Sequence, residues 1–529
     1  MSRITWILIA LIALGMGAVW FWPNHDPAAE RELAYQQQLQ GARQHAVRQG
    51  SPDSQLLQRA RQLPVMQLEQ MRPHPGDWDV ISRQRVLRVA VPYSRTYFFQ
   101  SRHHTLGLSS EMLAELESYL NNIFQTGDQP VAVLAVPMDP DQLLPAVTQG
   151  LADLAMGDIT ITAERLTQVD FIGFKGVEQH DIVIGGPRSP AINTLADLAG
   201  RVISVRRGSP YLESLNKLNE RLSKAHKQTV EIRQIPDELD DADLLDMLNA
   251  GLVSFAVMDD RKARLWRPVY PQIQPWPQLR LSPARRVGWA IRKDNPLLAR
   301  VLLGFGDLAG KEQEAAERFA SYQHTQGLLA PARDATELNK VNQIYPLLAR
   351  YGQQYHFDPL LLLATGYALS GLDQQRVSAD GPVGVMQVMP TTGDAMQAGN
   401  IHELEGNLHT ATKYLAELRQ RHFTQPGISE RNQMLFALAA YRLGPVLLSR
   451  MRDLASARGL DDCQWFGEVE WVIADELGND TVQYMRNILK YYVLYDLLLN
   501  KQQILAPTES TSETPTSTVS GRLPAAARS

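Results

Sequence analysis

Thr194-Leu195-Ala196-Asp197-Leu198-Ala199-Gly200-Arg201-Val202-Ile203-Ser204-Val205-Arg206-Arg207-Gly208-Ser209 is the stretch on which the architecture of this 529-residue chain turns. Val202 to Val205 reads as a short strand, one of a series. Val86-Leu87-Arg88-Val89-Ala90-Val91, Val131 to Val136 and Ile182-Val183-Ile184 are strand-like as well. Between them, Ser110 to Phe124 has the spacing of an amphipathic helix, and Asp141 to Leu151 is helical. Strands alternating with helices predict α/β layers, here over residues 81–330. From 340 to 500 long helical stretches take over: Pro359 to Leu369, Asn407 to His422, Gln433 to Tyr441. The spacing puts the boundary near 325–340, around Leu328-Leu329-Ala330-Pro331.

The two ends are of other kinds. Residues 1–24 hold Arg3 and then an uncharged run from Ile4 to Trp22. That run is close to the roughly 20 residues a helix needs to cross a bilayer, with Trp20 and Trp22 suited to the interface. A cleavable signal peptide is the rival expectation; its apolar region is usually about 7–15 residues, so an uncleaved membrane anchor is favoured. Either way the bulk of the chain is exported, and a Gram-negative periplasm is the expected compartment. Residues 25–80, rich in Gln, Arg and Ala, read as a helical spacer ending in Pro73-His74-Pro75-Gly76. Residues 505–529, rich in Ser, Thr, Pro and Ala, read as a disordered tail. A formal net charge of −5 argues against nucleic acid as a partner of the whole chain. The lone cysteine, Cys463, permits no internal disulfide, and no metal-ligand spacing is apparent, so neither a metal nor another cofactor is expected.

Within the α/β region, Gly157, Asp158 and Thr160 close a strand and Arg165 follows shortly. A strand end with a hydroxyl and amides beside a guanidinium fork can hold a carboxylate. On spacing alone, Arg165 could equally cap a turn or pair with Glu164. The 194–209 stretch closely resembles the crossover segment of periplasmic solute-binding proteins of the polar amino-acid family. That resemblance places Asp158, Thr160 and Arg165 at the ligand's carboxylate end. Gly208 and Ser209 fall on the second-lobe loop before a helix N-terminus, and Asp259 or Asp260 falls near the ammonium-binding aspartate. Gly288-Trp289-Ala290-Ile291 with Asn295-Pro296 matches the returning strand. Two lobes closing on an amino acid or a peptide fragment are implied. Asp158 is a departure, since an acid beside a carboxylate site suggests an unusual ligand or none.

In the helical region, Asp358-Pro359 reads as a cap and first turn. The order of Gly384-Val385-Met386-Gln387, Ala440-Tyr441-Arg442-Leu443-Gly444 and Tyr484 resembles the family 1 lytic transglycosylases, with an all-α, lysozyme-like fold. Behind a solute-binding module, this points to the transglycosylase F type. The resemblance implies cleavage of peptidoglycan to a 1,6-anhydro end by one glutamate, first as acid and then as base. Such a carboxyl must be held neutral by partial burial. The family's Glu-Ser is here Leu369-Ser370, and leucine has no proton to give. The family's asparagine is Arg442. Asp373 and Asp380 are the nearby acids that could substitute.

Three expectations follow. The first is a degenerate transglycosylase F-like protein that binds peptidoglycan strands or muropeptides without cutting them, its saccharide groove lined by Ser370, Met386, Gln387, Tyr441 and Tyr484. The second is an active lyase using an unrecognised acid. The third is a non-enzymatic scaffold or sensor for cell-wall enzymes.

Overall fold

The computed structural model describes residues 58–505 apart from 67–70, 125, 127, 208, 237, 307, 323–334 and 380. The expected anchor, most of the spacer, the 328–331 boundary and the tail lie outside the described residues. Among the described residues no helix is long and apolar enough to cross a membrane. The described part of the spacer is helical at 58–60 and from Trp78, where the Trp78–Gln84 helix begins, and not helical over 61–66 and 71–77. After a short helical turn at 58–60, Val65 pairs with Ala135, and the backbone N–H groups of Met66 and Ala135 donate to Ala135 and Pro64. Pro64 offers no N–H of its own, and the segment gains a sheet edge instead.

The α/β part is two five-stranded sheets. The strands in chain order are β1 (Val86–Pro92), β2 (Phe99–Ser101), β3 (His104–Leu106), β4 (Ala132–Met138), β5 (Leu154–Thr160), β6 (Val169–Gln179), β7 (Asp181–Gly185), β8 (Val202–Arg206), β9 (Glu231–Ile235), β10 (Phe255–Asp259), β11 (Gln274–Arg280) and β12 (Arg285–Arg292). The first lobe has the order β4-β1-β5-β12-β6, the second β11-β7-β10-β8-β9. β1 runs parallel to β4 and β5, with Val89 opposite both Ala135 and Leu154. Its residues are buried almost throughout, as expected of a strand covered on both faces.

Two crossings join the lobes. β6 ends at Gln179 and β7 begins at Asp181; β11 ends at Arg280 and β12 begins at Arg285. They lie side by side: the Asp181 N–H donates to Ser282 Oγ at 2.9 Å, and Arg285 Nη2 lies 2.6 Å from the buried Asp181 carboxylate. The helix expected over Asp141 to Leu151 is shorter, Leu143–Thr148, and the chain turns at Gly150, φ +74°.

The helical module begins with Ala335–Tyr355 and ends with Asp480–Leu505. At its centre lies Pro359–Ser370. Asp358 Oδ1 accepts from the Leu360 N–H at 2.8 Å, proline opens the first turn, and Gly371 at φ +67° closes the last. Leu361 to Tyr367 are all buried, so this helix is apolar on every side. A Cβ at Gly366 would stand 2.9 Å from Val385 Cγ1 and 3.2 Å from Met386 Sδ, so only glycine admits the 383–388 loop.

This module packs on both lobes. Tyr93 of the first lobe stacks on Trp471, centroids 4.2 Å apart. The β2–β3 turn, Arg102 and His103, has φ of +49° and +62° at both central residues, the hairpin geometry that suits strand twist. Its N–H groups donate to Ala474 and Asp475 carbonyls at 3.0 and 2.8 Å. Those carbonyls lie in the last turn of the Glu470–Leu477 helix, and the Ala474 carbonyl also accepts from the capping Gly478 N–H at 3.0 Å. In the second lobe, the Asp241–Asn249 helix meets Asp480–Leu505, and one contiguous apolar core runs from that lobe into the helical module.

Candidate functional site

A cavity of about 2510 Å³ is bounded by both lobes and by the helical module. Small-molecule sites usually occupy about 300–1,000 Å³, so this space suits something larger.

In the cleft between the lobes, β5 carries Asp158 and Thr160 to the cavity wall. Asp158 is engaged within the protein: Arg261 Nη1 of the second lobe lies 3.1 Å from its Oδ1, and the other nitrogen of Arg261 meets Glu312. Burial, with Asp158 adding to it and Arg261 opposing, pushes the Glu312 carboxyl up to about 8. Burial likewise raises Asp158. Arg165 is half-buried at the cavity wall and donates through Nη1 to the Thr160 carbonyl at 2.9 Å. No carboxylate lies within 4.0 Å of it among the described residues, and burial lowers its pKa. The pairing of Arg165 with Glu164 that spacing allowed is therefore not formed.

Gly208 lies outside the described residues. Ser209 is buried, and its Oγ accepts from the Tyr211 N–H at 3.2 Å. Of the two adjacent aspartates, Asp259 lines the cavity; it accepts from Tyr211 Oη at 2.8 Å and caps the Asp260–Trp266 helix through the Lys262 N–H at 2.8 Å. Asp260 turns to the hinge and accepts from the His180 N–H at 3.1 Å.

On the helical side, Leu369 stands half-buried in the last turn of Pro359–Ser370, and its neighbour Ala368 lines the cavity. Ser370 Oγ donates to the Val385 carbonyl at 2.8 Å and accepts from the Asp373 N–H at 3.1 Å, tying helix to loop. Met386 is fully buried; its carbonyl accepts from Tyr441 Oη at 2.9 Å. Gln387 Nε2 donates to the Gly384 and Arg376 carbonyls at 2.8 and 3.1 Å, which holds the loop. Asp373 is exposed and accepts from the Gln375 N–H at 2.9 Å, as a turn-forming aspartate does. Asp380 lies outside the described residues. Tyr484 lines the cavity, and Arg442 lies over its ring, 5.1 Å from the centroid.

Sequence reasoning missed Arg261, Glu312 and Glu470. Glu470 lines the cavity, is buried, and accepts from the Gly467 N–H at 3.0 Å and Arg486 at 3.2 Å. Burial raises its carboxyl, with Asp243 adding to it and Arg486 opposing. The described residues also bring His103, Asp475 and Glu476 within reach of one metal ion. Arg458 already pairs with both of those carboxylates.

Residues 87–309 match the bacterial extracellular solute-binding proteins, family 3, and residues 346–461 match the transglycosylase SLT domain. The protein thus joins a two-lobed solute-binding module to a helical transglycosylase-type module. In that build it is similar to proteins named membrane-bound lytic murein transglycosylase F. It is 28% identical over 390 residues to the membrane-bound lytic murein transglycosylase F of Desulfosudis oleivorans, covering 69% of this chain and 81% of that one. To the protein of the same name from Pseudomonas fluorescens it is 24% identical over 449 residues, covering 79% and 86%. Among solved structures, an ancestral arginine-binding protein bound to arginine is 22% identical with a TM-score of 0.34, over 44% of this chain and 97% of that one.

Proposed function

We propose that this protein binds peptidoglycan strands or muropeptides in the periplasm of a Gram-negative bacterium, held at the membrane by its N-terminal segment, and does not cleave them. The observation that carries the proposal is the end of the Pro359–Ser370 helix. Where the family presents its acid, this chain has Leu369, packed half-buried against the core. Loss of a positioned acid costs roughly 10²–10⁴-fold in such catalysis. The nearby Asp373 is exposed and engaged in its own turn. The cleft between the lobes is the place for an amino-acid or peptide ligand, with Arg165 as carboxylate anchor and Asp158, Thr160, Ser209 and Asp259 around it.

A second reading has one observation in its favour. Glu470 is a buried carboxyl at the cavity wall with a raised pKa, as a general acid requires. Its pairing with Arg486 favours the charged form, which cannot donate a proton. Purified protein on murein sacculi separates the readings. Pelleting without release of anhydro-muropeptides is expected. Release that Glu470→Gln abolishes would establish the lyase instead, and neither pelleting nor release would leave a scaffold.

A further inference from the structure

Arg442 is set apart from its neighbours by what it lacks. Arg431 and Arg486 also line the cavity from the helical module, but Arg431 is paired with Glu238 and Arg486 with Asp243 and Glu470. Arg442 has no carboxylate within 4.0 Å among the described residues. It ends the Glu430–Leu443 helix, just before Gly444 at φ +82°, with its side chain exposed. The ring of Tyr484 beneath it holds the guanidinium in place by cation–π attraction.

Tyr484 supplies an independent observation. Its hydroxyl is buried and has no hydrogen-bond partner, although the residue lines the cavity. A buried hydroxyl without a partner is costly and asks for an acceptor. Burial raises the phenol well above its ordinary value, so it stays a donor at any physiological pH. Ala368, Leu435 and Phe466 of the helical module supply apolar surface to the same cavity. A cation and a phenolic donor beside apolar surface make a site for an acceptor carried on a compact, partly apolar body.

We propose that Arg442 and Tyr484 form a subsite for a sugar bearing a free carboxylate, such as the muramic acid unit of peptide-free murein, whose lactyl ether arm is not amidated. This rests on the glycan-binding reading above. The guanidinium receives the carboxylate as a charge-assisted pair, and Tyr484 takes a sugar or carboxylate oxygen after a small movement of its ring. The groove thereby tells an acidic glycan from a neutral one.

The test uses the whole protein and two soluble probes of equal length: peptide-free murein oligosaccharides with free lactyl carboxylates, and neutral oligosaccharides of N-acetylglucosamine. Calorimetry should show the acidic probe bound about tenfold more tightly at low salt, with the preference shrinking as salt screens the pair. Arg442→Gln should remove the preference by weakening the acidic probe about tenfold. Arg442→Lys should keep part of it, and an unchanged melting temperature shows that each variant folds. Equal affinity for the two probes, or a preference that survives Arg442→Gln, overturns the subsite and leaves glycan binding standing. Binding of neither probe overturns the glycan-binding reading and the subsite together.

Discussion

Lys490 Nζ lies 2.9 Å from Asp243 Oδ1, and neither side chain reaches solvent, although one belongs to the last helix of the helical module and the other to the second lobe. Asp246 accepts from the same ammonium at 2.9 Å, and Asp243 also meets Arg486 at 2.8 Å and Arg95 of the first lobe at 3.1 Å. Burial by itself would raise the Asp243 carboxyl. Lys490, Arg95 and Arg486 instead hold it well below the usual carboxylate range. Three parts of the molecule therefore converge on one carboxylate, and the modules are expected to unfold together.

Lys490→Met should cost about 3–5 kcal/mol, because it removes from a buried place the ammonium that Asp243 and Asp246 share. Calorimetric melting should then split into two transitions as the helical module loosens from the second lobe. A single transition with a loss under about 1 kcal/mol would show that the apolar core alone couples them.

The Arg261 cluster predicts a pH dependence. Burial, with Asp158 adding to it, pushes the Glu312 carboxyl up to about 8 in the folded protein from 4.5 ordinarily. Between those values the folded state binds more protons than the unfolded one, so stability falls as pH rises from about 5 to about 8. Glu312→Gln should flatten the melting temperature over that window. An unchanged slope would place the pH dependence elsewhere.

Leu369→Glu tests the proposed loss of the acid. It should yield anhydro-muropeptide release far below that of an active relative, because Arg442 places a positive charge where the resemblance calls for a neutral amide. Leu369→Glu with Arg442→Asn should release more than the single variant. Full release from the single change would remove Arg442 as an obstacle.

Arg165→Ala should weaken binding of whichever amino acid or short cell-wall peptide gives heat with the wild type by at least tenfold, since a charge-assisted pair contributes about 1.5–3 kcal/mol. The fold should persist, because among the described residues the guanidinium hydrogen-bonds only to the Thr160 carbonyl. Undiminished affinity would move the anchor to another cation of the cleft, Arg206 or Lys262 among them.

Local signals read well where local physics governs. The strands Val86–Pro92, Asp181–Gly185 and Val202–Arg206 follow their apolar runs, and the cap at Asp358 with Pro359 starts its helix as expected. The 58–66 segment escaped because a lone extended pairing to Ala135 leaves no period to detect. Gln387 and Met386 were legible as part of a sequence motif, but their hydrogen bonding and burial were not, since these depend on Gly384, Arg376 and Tyr441.

Amino-acid order alone settled the two kinds of layer, the helix that ends in Leu369-Ser370 and the residue types set at each candidate site, because periodicity and caps act within a few residues of one another. Which charges meet was settled by folding. Arg261 and Asp158 are 103 positions apart, Lys490 and Asp246 are 244 apart, and no spacing rule links either pair. Removing such groups from water is costly unless an opposite charge lies within a few ångströms, and that condition is met by packing two lobes and a third module around one cavity.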